Sequence, residues 1–353
     1  MKIVTVVGAR PQFIKAAPVS REIRKDNEEV LVHTGQHYDN NMSNIFFEEL
    51  NIPEPDYNLE VGSASHGEQT GKMLMKIEEL LFDLTPDFLV VYGDTNSTIA
   101  GALAASKLDI PVAHIEAGLR SFNKKMPEEQ NRILTDHLSS LLFSPTKTAV
   151  KNLANEGITK GVKQVGDVMY DAVVYNKGIA AEKSDILEEL DLTAREYMLA
   201  TVHRAENTDN KAKLNNIVEA FNEIEEEIIL PLHPRTKEYL KEYNLSFASN
   251  VKVIEPVGYL DMLKLEDNAN KIITDSGGVQ KEAYFSETPC ITLREETEWV
   301  ETVKEGWNTL VGTDKSKIIK AIKDFNPKTK PEYVFGNGNA SEKIKDIIEG
   351  YKI

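Results

Sequence analysis

The chain has 353 residues, which is enough for two domains that each bury a core of their own. Asp and Glu (57 residues) outnumber Lys and Arg (41), and the formal net charge of −16 argues against nucleic acid or an anionic membrane as the main partner. The single cysteine, Cys290, excludes an internal disulfide, and no apolar run reaches the ~20 residues of a membrane span, so we expect a cytoplasmic protein with a buried structural thiol.

The amino-terminal half begins with a β–turn–α unit. Residues 2–7 (KIVTVV) predict a buried strand, which leads through Gly8 into a helix that Pro11 can start. Arg10 and Lys15 flank this turn, where two cations suit a diphosphate, although ordinary surface charge is the alternative. The turn lacks the GxGxxG spacing of a dinucleotide site, so we expect no nicotinamide or flavin cofactor.

Two acids follow later strands of this half. The predicted strand 88–92 delivers Asp94, and the predicted strand 111–115 delivers Glu116. Because the carboxyl ends of parallel strands share one edge of a sheet, we expect the two carboxylates to be neighbours with a chemical role. A third acid, Glu128, follows Pro127 in the first turn of a predicted helix, where an acid also simply complements the helix dipole.

The second half repeats the alternation of strands and helices. Its predicted strands end in polar residues that include His203, Arg204, His233 and Arg294. These side chains form a cationic rim that suits an anionic ligand, although histidines at strand ends are also commonplace.

Residues 271–285 (KIITDSGGVQKEAYF) predict a strand that runs into a helix through Ser276, Gly277 and Gly278. Ser276 is a good N-cap, and the two glycines let a phosphate approach the free N–H groups of the first helical turn. Glu282 follows about one turn later, where it can accept hydrogen bonds from a ribose diol. The stretch therefore predicts a nucleotide site, with an ordinary capped helix as the alternative.

Ten segments, in this order, give the chain its resemblance to the non-hydrolysing UDP-N-acetylglucosamine 2-epimerases. They are VVGARPQFIKAAP (6–18), TGQHYD (34–39), YGDTNST (92–98), HIEAGLRS (114–121), MPEEQNR (126–132), FSPT (143–146), VGD (165–167), TVHRAEN (201–207), LHPR (232–235) and TDSGGVQKEA (274–283). The resemblance implies a GT-B-like fold, with two Rossmann-like α/β domains whose parallel sheets face a deep cleft. It implies a catalytic domain of residues 1–165 plus 338–353, a UDP-binding domain of residues 166–337, and a homodimer.

The resemblance also implies a reaction. Such enzymes interconvert UDP-GlcNAc and UDP-ManNAc, precursors of glycans and polysaccharides, by eliminating UDP to 2-acetamidoglucal and re-adding it with inversion at C2, without metal or redox cofactor. Asp94, Glu116 and Glu128 match the acid/base set, and His203 with Arg10 matches the group that stabilises the departing diphosphate. The remaining positions implied to bind UDP or substrate are Lys15, Arg204, Ser276, Gly277, Gly278, Glu282 and Arg294.

Some members of that family bind a second, activating UDP-GlcNAc. It is contacted from the loop that corresponds to residues 36–39 and from the position of His233. This chain keeps Gln36, His37 and His233, but Asp39 stands where those members have a glutamine. Activation by substrate is therefore an expectation for this chain.

Three alternatives remain at this stage. A hydrolysing relative releases free ManNAc and UDP, a GT-B glycosyltransferase passes the sugar to an acceptor, and a nucleotide-sugar sensor binds without turnover. The three acids of the first half favour the epimerase, because a transferase or a sensor does not need all of them.

Overall fold

The computed structural model describes residues 1–35 and 53–352. They form two compact units, one of Met1–Tyr175 with Tyr333–Ile353 and the other of Asn176–Glu332. Each unit is built on one parallel sheet, which confirms the predicted pair of Rossmann-like α/β domains.

The first division between the units falls inside a helix, Val168–Lys183. Asp171, in the first half of this helix, accepts hydrogen bonds from the backbone N–H groups of Ala340 (3.2 Å) and Ser341 (2.7 Å), both in the first unit. The sequence predicts boundaries after residues 165 and 337, and this contact ties the first half of the helix to the first unit.

The first unit contains a seven-stranded sheet in the order β3-β2-β1-β4-β5-β6-β7. Its strands are β1 (Lys2–Val7), β2 (Glu28–His33), β3 (Tyr57–Asn58), β4 (Phe88–Tyr92), β5 (Val112–Ile115), β6 (Leu141–Ser144) and β7 (Val162–Gln164). The central strands are apolar runs buried along their length, as expected where helices cover both faces of a parallel sheet. The chain order reverses between β1 and β4, so the loops after these two strands flank the point where open α/β sheets bind ligands.

Three helices of this unit begin where a side chain caps the first turn. The helices are α1 (Arg10–Ile23), α2 (His66–Leu84), α3 (Asn96–Lys107), α4 (Pro127–Leu138), α5 (Lys147–Asn155), α6 (Val168–Lys183, which runs on into the second unit) and α15 (Ala340–Glu349). Ser65, Thr95 and Thr146 accept hydrogen bonds from N–H groups in the first turns of α2, α3 and α5. Helix α15 packs against α1, so the carboxyl end of the chain closes the first unit.

The second unit contains a six-stranded sheet in the order β10-β9-β8-β11-β12-β13. Its strands are β8 (Met198–Thr201), β9 (Ile228–Pro231), β10 (Val251–Ile254), β11 (Lys271–Thr274), β12 (Cys290–Thr292) and β13 (Asn308–Leu310). Its helices are α7 (Ile186–Glu189), α8 (Ala205–Thr208), α9 (Lys211–Asn222), α10 (Pro234–Tyr243), α11 (Tyr259–Asn268), α12 (Gly277–Phe285), α13 (Val300–Lys304) and α14 (Lys315–Asp324).

Alternate residues of β8 enter two apolar clusters. Met198 and Ala200 join one cluster and Leu199 joins the other, because successive side chains of a strand point to opposite faces of the sheet. In this sheet the chain order reverses between β8 and β11, so the loops that carry His203 and Ser276 flank the point where open α/β sheets bind ligands. Cys290 is buried, as predicted, and burial raises the pKa of its thiol to about 12.

Candidate active site

One glutamine joins the two loops at the switch point of the first sheet. Gln12 accepts hydrogen bonds through Oε1 from the N–H groups of Gly8 (2.8 Å) and Ala9 (3.0 Å). Its Nε2 donates to the carbonyl oxygen of Tyr92 at 2.8 Å. This buried amide fixes the loop after β1 against the loop after β4. The sequence did not predict this role for Gln12.

Asp94 and Glu116 are brought to the same edge of this sheet. Glu116 is 5% exposed and adopts a left-handed backbone conformation (φ +70°), which is uncommon for a residue with a side chain. Its Oε2 contacts Nζ of Lys15. A Cβ placed on Gly93 would lie 3.3 Å from Glu116 Oε2 and 3.9 Å from Lys15 Nζ, and the backbone of Gly93 is left-handed (φ +63°), a conformation that favours glycine. Lys15, predicted as a diphosphate ligand, is paired with a carboxylate in this structure.

The charge state of Asp94 follows from its surroundings. Burial raises the pKa of its carboxyl above the ordinary aspartate value, and the negative charge of Glu116 adds to this rise. Arg132, whose Nη2 contacts Asp94 Oδ2, and Lys15 oppose the rise but do not cancel it. Asp94 therefore holds a proton more readily at neutral pH than an exposed aspartate does, which suits a group that must give and take protons.

Helix α4 carries a row of charged side chains that hold these loops. Glu129 is 1% exposed and accepts hydrogen bonds from the N–H groups of Ser121 and Phe122, both at 2.9 Å. Arg132, three residues on, donates to Glu129 at 3.0 Å and reaches Asp94 with its other nitrogen. Positions three or four apart share a helix face, so this face of α4 points at the loop that follows β4.

Glu128, the third predicted acid, is exposed in the first turn of α4. Within the described residues its carboxylate makes no hydrogen bond. The structure therefore leaves this carboxylate open to solvent or ligand, whereas its neighbour Glu129 is fully engaged.

A buried aspartate organises the switch point of the second sheet. Asp275 follows β11, is 0% exposed, and accepts hydrogen bonds from the N–H groups of His203 (3.1 Å) and Arg204 (3.0 Å). It also accepts one from Nδ2 of Asn207 at 3.0 Å. The loop after β8 is thereby fixed against the loop after β11. Asp275 stands inside the TDSGG segment, but the sequence alone did not show which way its side chain points.

His203 is held next to a second histidine. Its Nδ1 lies 3.5 Å from Asp275 Oδ1, and its ring centroid lies 5.4 Å from that of His233. Burial lowers the pKa of His203, and His233 and Arg204 lower it further against the opposing charge of Asp275. The lowered pKa favours the neutral ring at neutral pH, and an anionic ligand beside the ring would favour the protonated form.

The two glycines at the start of α12 differ in their surroundings. Ser276 is the N-cap residue, but its side chain makes no capping hydrogen bond. A Cβ on Gly277 would overlap Oε1 of Glu298, whereas a Cβ on Gly278 meets only Ser276 Oγ at 3.9 Å and Glu282 Oε2 at 4.0 Å. Gly278 thus lies at an exposed position beside the Ser276 hydroxyl and the Glu282 carboxylate, the arrangement predicted for a phosphate and a ribose.

Two predicted cations share one carboxylate. Arg294 donates from Nη1 to Glu298 Oε2 at 3.0 Å, and Arg204 Nη2 lies 4.0 Å from Glu298 Oε1. Burial opposes ionisation of Glu298, but the charges of Arg294 and Arg204 outweigh it, so the pKa of Glu298 lies below its usual value. Arg235, by contrast, forms an ion pair with Asp209. It therefore contributes little net positive charge near His203, Arg204 and Arg294.

Three predicted residues have no described side chain. Arg10 begins α1, but its side chain lies outside the described part, and Gln36 and His37 lie outside the described residues altogether. Their predicted roles stay predictions.

Comparison with known proteins identifies the family of this chain. The family model for UDP-N-acetylglucosamine 2-epimerase matches residues 21–349. A Methanococcus maripaludis protein named UDP-N-acetylglucosamine 2-epimerase homolog is 60% identical, with 99% of each chain covered. A Pseudomonas aeruginosa protein named UDP-2,3-diacetamido-2,3-dideoxy-D-glucuronate 2-epimerase is 49% identical, again with 99% of each chain covered.

Among solved structures, the Methanocaldococcus jannaschii UDP-GlcNAc 2-epimerase in complex with UDP-GlcNAc and UDP is similar to this chain. The two are 50% identical with a TM-score of 0.89, over 99% of this chain and 100% of the other. The predicted family and enzyme class, an isomerase, are confirmed: the chain belongs to the UDP-N-acetylglucosamine 2-epimerase family.

Proposed function

We propose that this protein interconverts UDP-GlcNAc and UDP-ManNAc without net hydrolysis. The observation that carries the proposal is the paired carboxyl groups of Asp94 and Glu116 at one sheet edge, with Lys15 and Arg132 beside them. Inversion at C2 requires one group that removes the C2 proton and another that delivers a proton to the opposite face. Two carboxyl groups with different partners suit this requirement.

The chemistry is an elimination followed by its reverse. In the first half the C2–H and C1–O bonds break, the C1=C2 double bond of 2-acetamidoglucal forms, and the electron pair of the C1–O bond leaves with UDP. The proton from C2 passes to a carboxylate. In the second half UDP adds back at C1 while a proton reaches C2 from the other face. We assign these transfers to Asp94 and Glu116, with Glu128 as the third acid of the set.

We assign the binding of UDP to residues of the second unit. The N-terminus of α12 at Ser276 and Gly278 suits the diphosphate, and Glu282 suits the ribose diol. His203 adds a switchable charge: its lowered pKa leaves it neutral before the reaction, and the negative charge that develops on departing UDP favours its protonation. A UDP that stays bound can add back, whereas a UDP that escapes ends the cycle.

A second substrate is supported by the comparisons. The chain is as similar to a relative named for UDP-2,3-diacetamido-2,3-dideoxy-D-glucuronate (49% identical) as to a structure named for UDP-GlcNAc (50% identical). Both substrates carry an acetamido group at C2, so the same pair of carboxyl groups can invert either. We therefore propose the diacetamido-glucuronate nucleotide as the competing substrate, to be tested beside UDP-GlcNAc.

Three further proposals concern regulation, assembly and location. Activation by a second substrate molecule rests on Gln36, His37 and His233, and sigmoidal dependence of the initial rate on substrate is its expected signature. A homodimer is supported by α2, on which Met75 and Phe82 are 64% and 63% exposed and lie seven positions apart on one helix face.

No helix in the described part of the chain is long and apolar enough to cross a membrane. Cytoplasmic location stays a prediction.

The proposed function is tested by replacing Glu116 with Gln and measuring turnover and UDP binding separately. We expect turnover to fall by about 10²- to 10⁴-fold, the usual contribution of a positioned acid or base, while UDP binding survives. Undiminished turnover would exclude Glu116 from proton transfer. Loss of both properties together would assign it a structural role instead.

A further inference from the structure

One histidine in the first unit is completely buried and is not among the predicted site residues. His114 lies on β5 and is 0% exposed. Its Nδ1 lies 2.8 Å from Asp136 Oδ1, and its Nε2 lies 2.8 Å from the carbonyl oxygen of Gly93. Both ring nitrogens are therefore at hydrogen-bonding distance from oxygens.

Both of these oxygens are hydrogen-bond acceptors. A backbone carbonyl cannot donate, and an ionised carboxylate cannot donate either. A neutral imidazole carries one N–H and can satisfy only one such partner, whereas the imidazolium carries two. The geometry therefore requires a proton on each nitrogen of His114, provided that Asp136 is ionised.

The surroundings of Asp136 keep it ionised. Its Oδ2 accepts hydrogen bonds from Nη1 of Arg120 at 2.7 Å and from the N–H group of Gly118 at 3.1 Å. Burial opposes ionisation, but the hydrogen bonds and charges of His114 and Arg120 outweigh it, so the pKa of Asp136 lies below the usual aspartate value. The proton between His114 and Asp136 accordingly belongs to the ring.

The four side chains form an alternating row of charges. Arg120 donates to both carboxylate oxygens of Glu156, from Nε at 2.7 Å and from Nη2 at 2.6 Å. The charges thus alternate along a row of four side chains and sum to zero: His114 is positive, Asp136 negative, Arg120 positive and Glu156 negative. Buried charges are tolerated when they are paired and their hydrogen bonds are satisfied, as they are here.

This row touches both loops that carry the proposed acid and base. His114 holds the carbonyl of Gly93, which has a left-handed backbone (φ +63°) and precedes Asp94. Asp136 holds the N–H of Gly118, two residues after Glu116, whose own backbone is left-handed (φ +70°). Such conformations persist where surrounding contacts over-determine them.

We propose that His114 donates from both ring nitrogens, as an imidazolium, and together with Asp136 positions the loops of Asp94 and Glu116 relative to each other. The positioning half of this inference rests on the proposed function, because it takes Asp94 and Glu116 as the proton-transferring groups. The protonation half does not. His114 and Asp136 are positioning residues in this account, since neither is placed against the substrate.

The protonation state is tested directly by ¹⁵N NMR of the imidazole side chains in the full chain at neutral pH. The resonances of His114 are assigned as those missing from His114→Gln. His137→Gln serves as the matched control, because His137 follows Asp136 on α4 but is 51% exposed. Two protonated nitrogens on His114 are expected, and a single neutral tautomer would overturn the inference.

The positioning role is tested by His114→Phe, with Asp136→Asn as the control. Asp136→Asn can keep its amide oxygen toward Gly118 and Arg120 while its NH₂ faces His114, so it preserves the contacts of both loops and serves as the control, with kcat expected to be near that of wild type. His114→Phe keeps an aromatic ring on β5 but removes the contacts with Asp136 and with the Gly93 carbonyl. For His114→Phe we expect a folded protein, UDP affinity within about threefold of wild type, and kcat lowered by about 10²-fold, the scale of an ~1 Å misplacement.

Unchanged kcat in a folded His114→Phe would refute the positioning role. If Glu116→Gln also keeps its turnover, the proposed function fails instead, and the NMR result for His114 stands independently of it. The two failures are thereby distinguished.

Discussion

The start of α12 offers the sharpest test of the proposed UDP site, through Gly278→Ala. In the unliganded protein the added methyl group meets Ser276 Oγ at 3.9 Å and Glu282 Oε2 at 4.0 Å, which are ordinary van der Waals distances. The backbone at Gly278 is not in the left-handed region, so alanine fits there without strain. We therefore expect the folded state to be unharmed, with stability equal to or up to about 1 kcal/mol above wild type.

The bound state is affected differently. We expect a phosphate held by the N–H groups of this turn to approach on the side where the added methyl group stands. Loss of one charge-assisted hydrogen bond costs about 1.5–3 kcal/mol, which corresponds to a roughly 10- to 150-fold rise in the Kd for UDP. Titration calorimetry with UDP and thermal unfolding of the same samples measure the two effects separately.

Two other glycines serve as controls. Gly71→Ala in α2 meets open space, so it should raise stability slightly and leave UDP binding unchanged. Gly277→Ala would overlap Glu298 Oε1 and disturb its pairing with Arg294, so it should lower both stability and affinity. Wild-type UDP affinity in a well-folded Gly278→Ala would refute the assignment of this turn to the phosphate.

Further outcomes follow from the first unit and the buried thiol. Arg132→Met removes a charge that lowers the pKa of Asp94, so the limb of the pH–rate profile that Asp94 controls should move to higher pH; an unmoved profile would separate Asp94 from catalysis. Gly118→Ala should lower stability by about 1–3 kcal/mol in denaturant titrations, because Gly118 has φ +82° and faces the Ala149 carbonyl; a neutral effect would contradict the packing of this loop. Cys290, with its pKa raised to about 12, should resist alkylation at mildly alkaline pH until the protein is unfolded, and rapid labelling of the native protein would show that this strand opens.

The proximity of Asp94 and Glu116 was predictable because it depends on a general rule. Each acid follows an apolar strand, and the ends of neighbouring parallel strands meet at one edge. The same rule predicts that the turn at Ser276 lies at the carboxyl edge of the second sheet. These predictions needed only the strand assignments and no knowledge of individual side-chain contacts.

The contacts that hold these loops were not predictable in the same way. Glu129, Arg132 and Asp136 stand three and four residues apart on α4, a spacing that marks one helix face. An acid near the start of a helix is ordinarily explained by its interaction with the helix dipole. The sequence therefore did not predict that Glu129 is buried, and only the fold shows it. Lys15 contacts an acid that lies far away in the sequence, and no local pattern distinguishes this from a phosphate ligand.

The central claim is tested most directly by a proton NMR time course with UDP-GlcNAc in D₂O. The account predicts new signals of UDP-ManNAc, incorporation of deuterium at C2 of both epimers, and no free ManNAc. Free ManNAc and UDP would contradict the non-hydrolysing reaction, and epimerisation without deuterium at C2 would contradict proton transfer at that carbon. If UDP-GlcNAc is unchanged while the diacetamido-glucuronate nucleotide is epimerised in a parallel sample, the family chemistry stands and the competing substrate replaces the first.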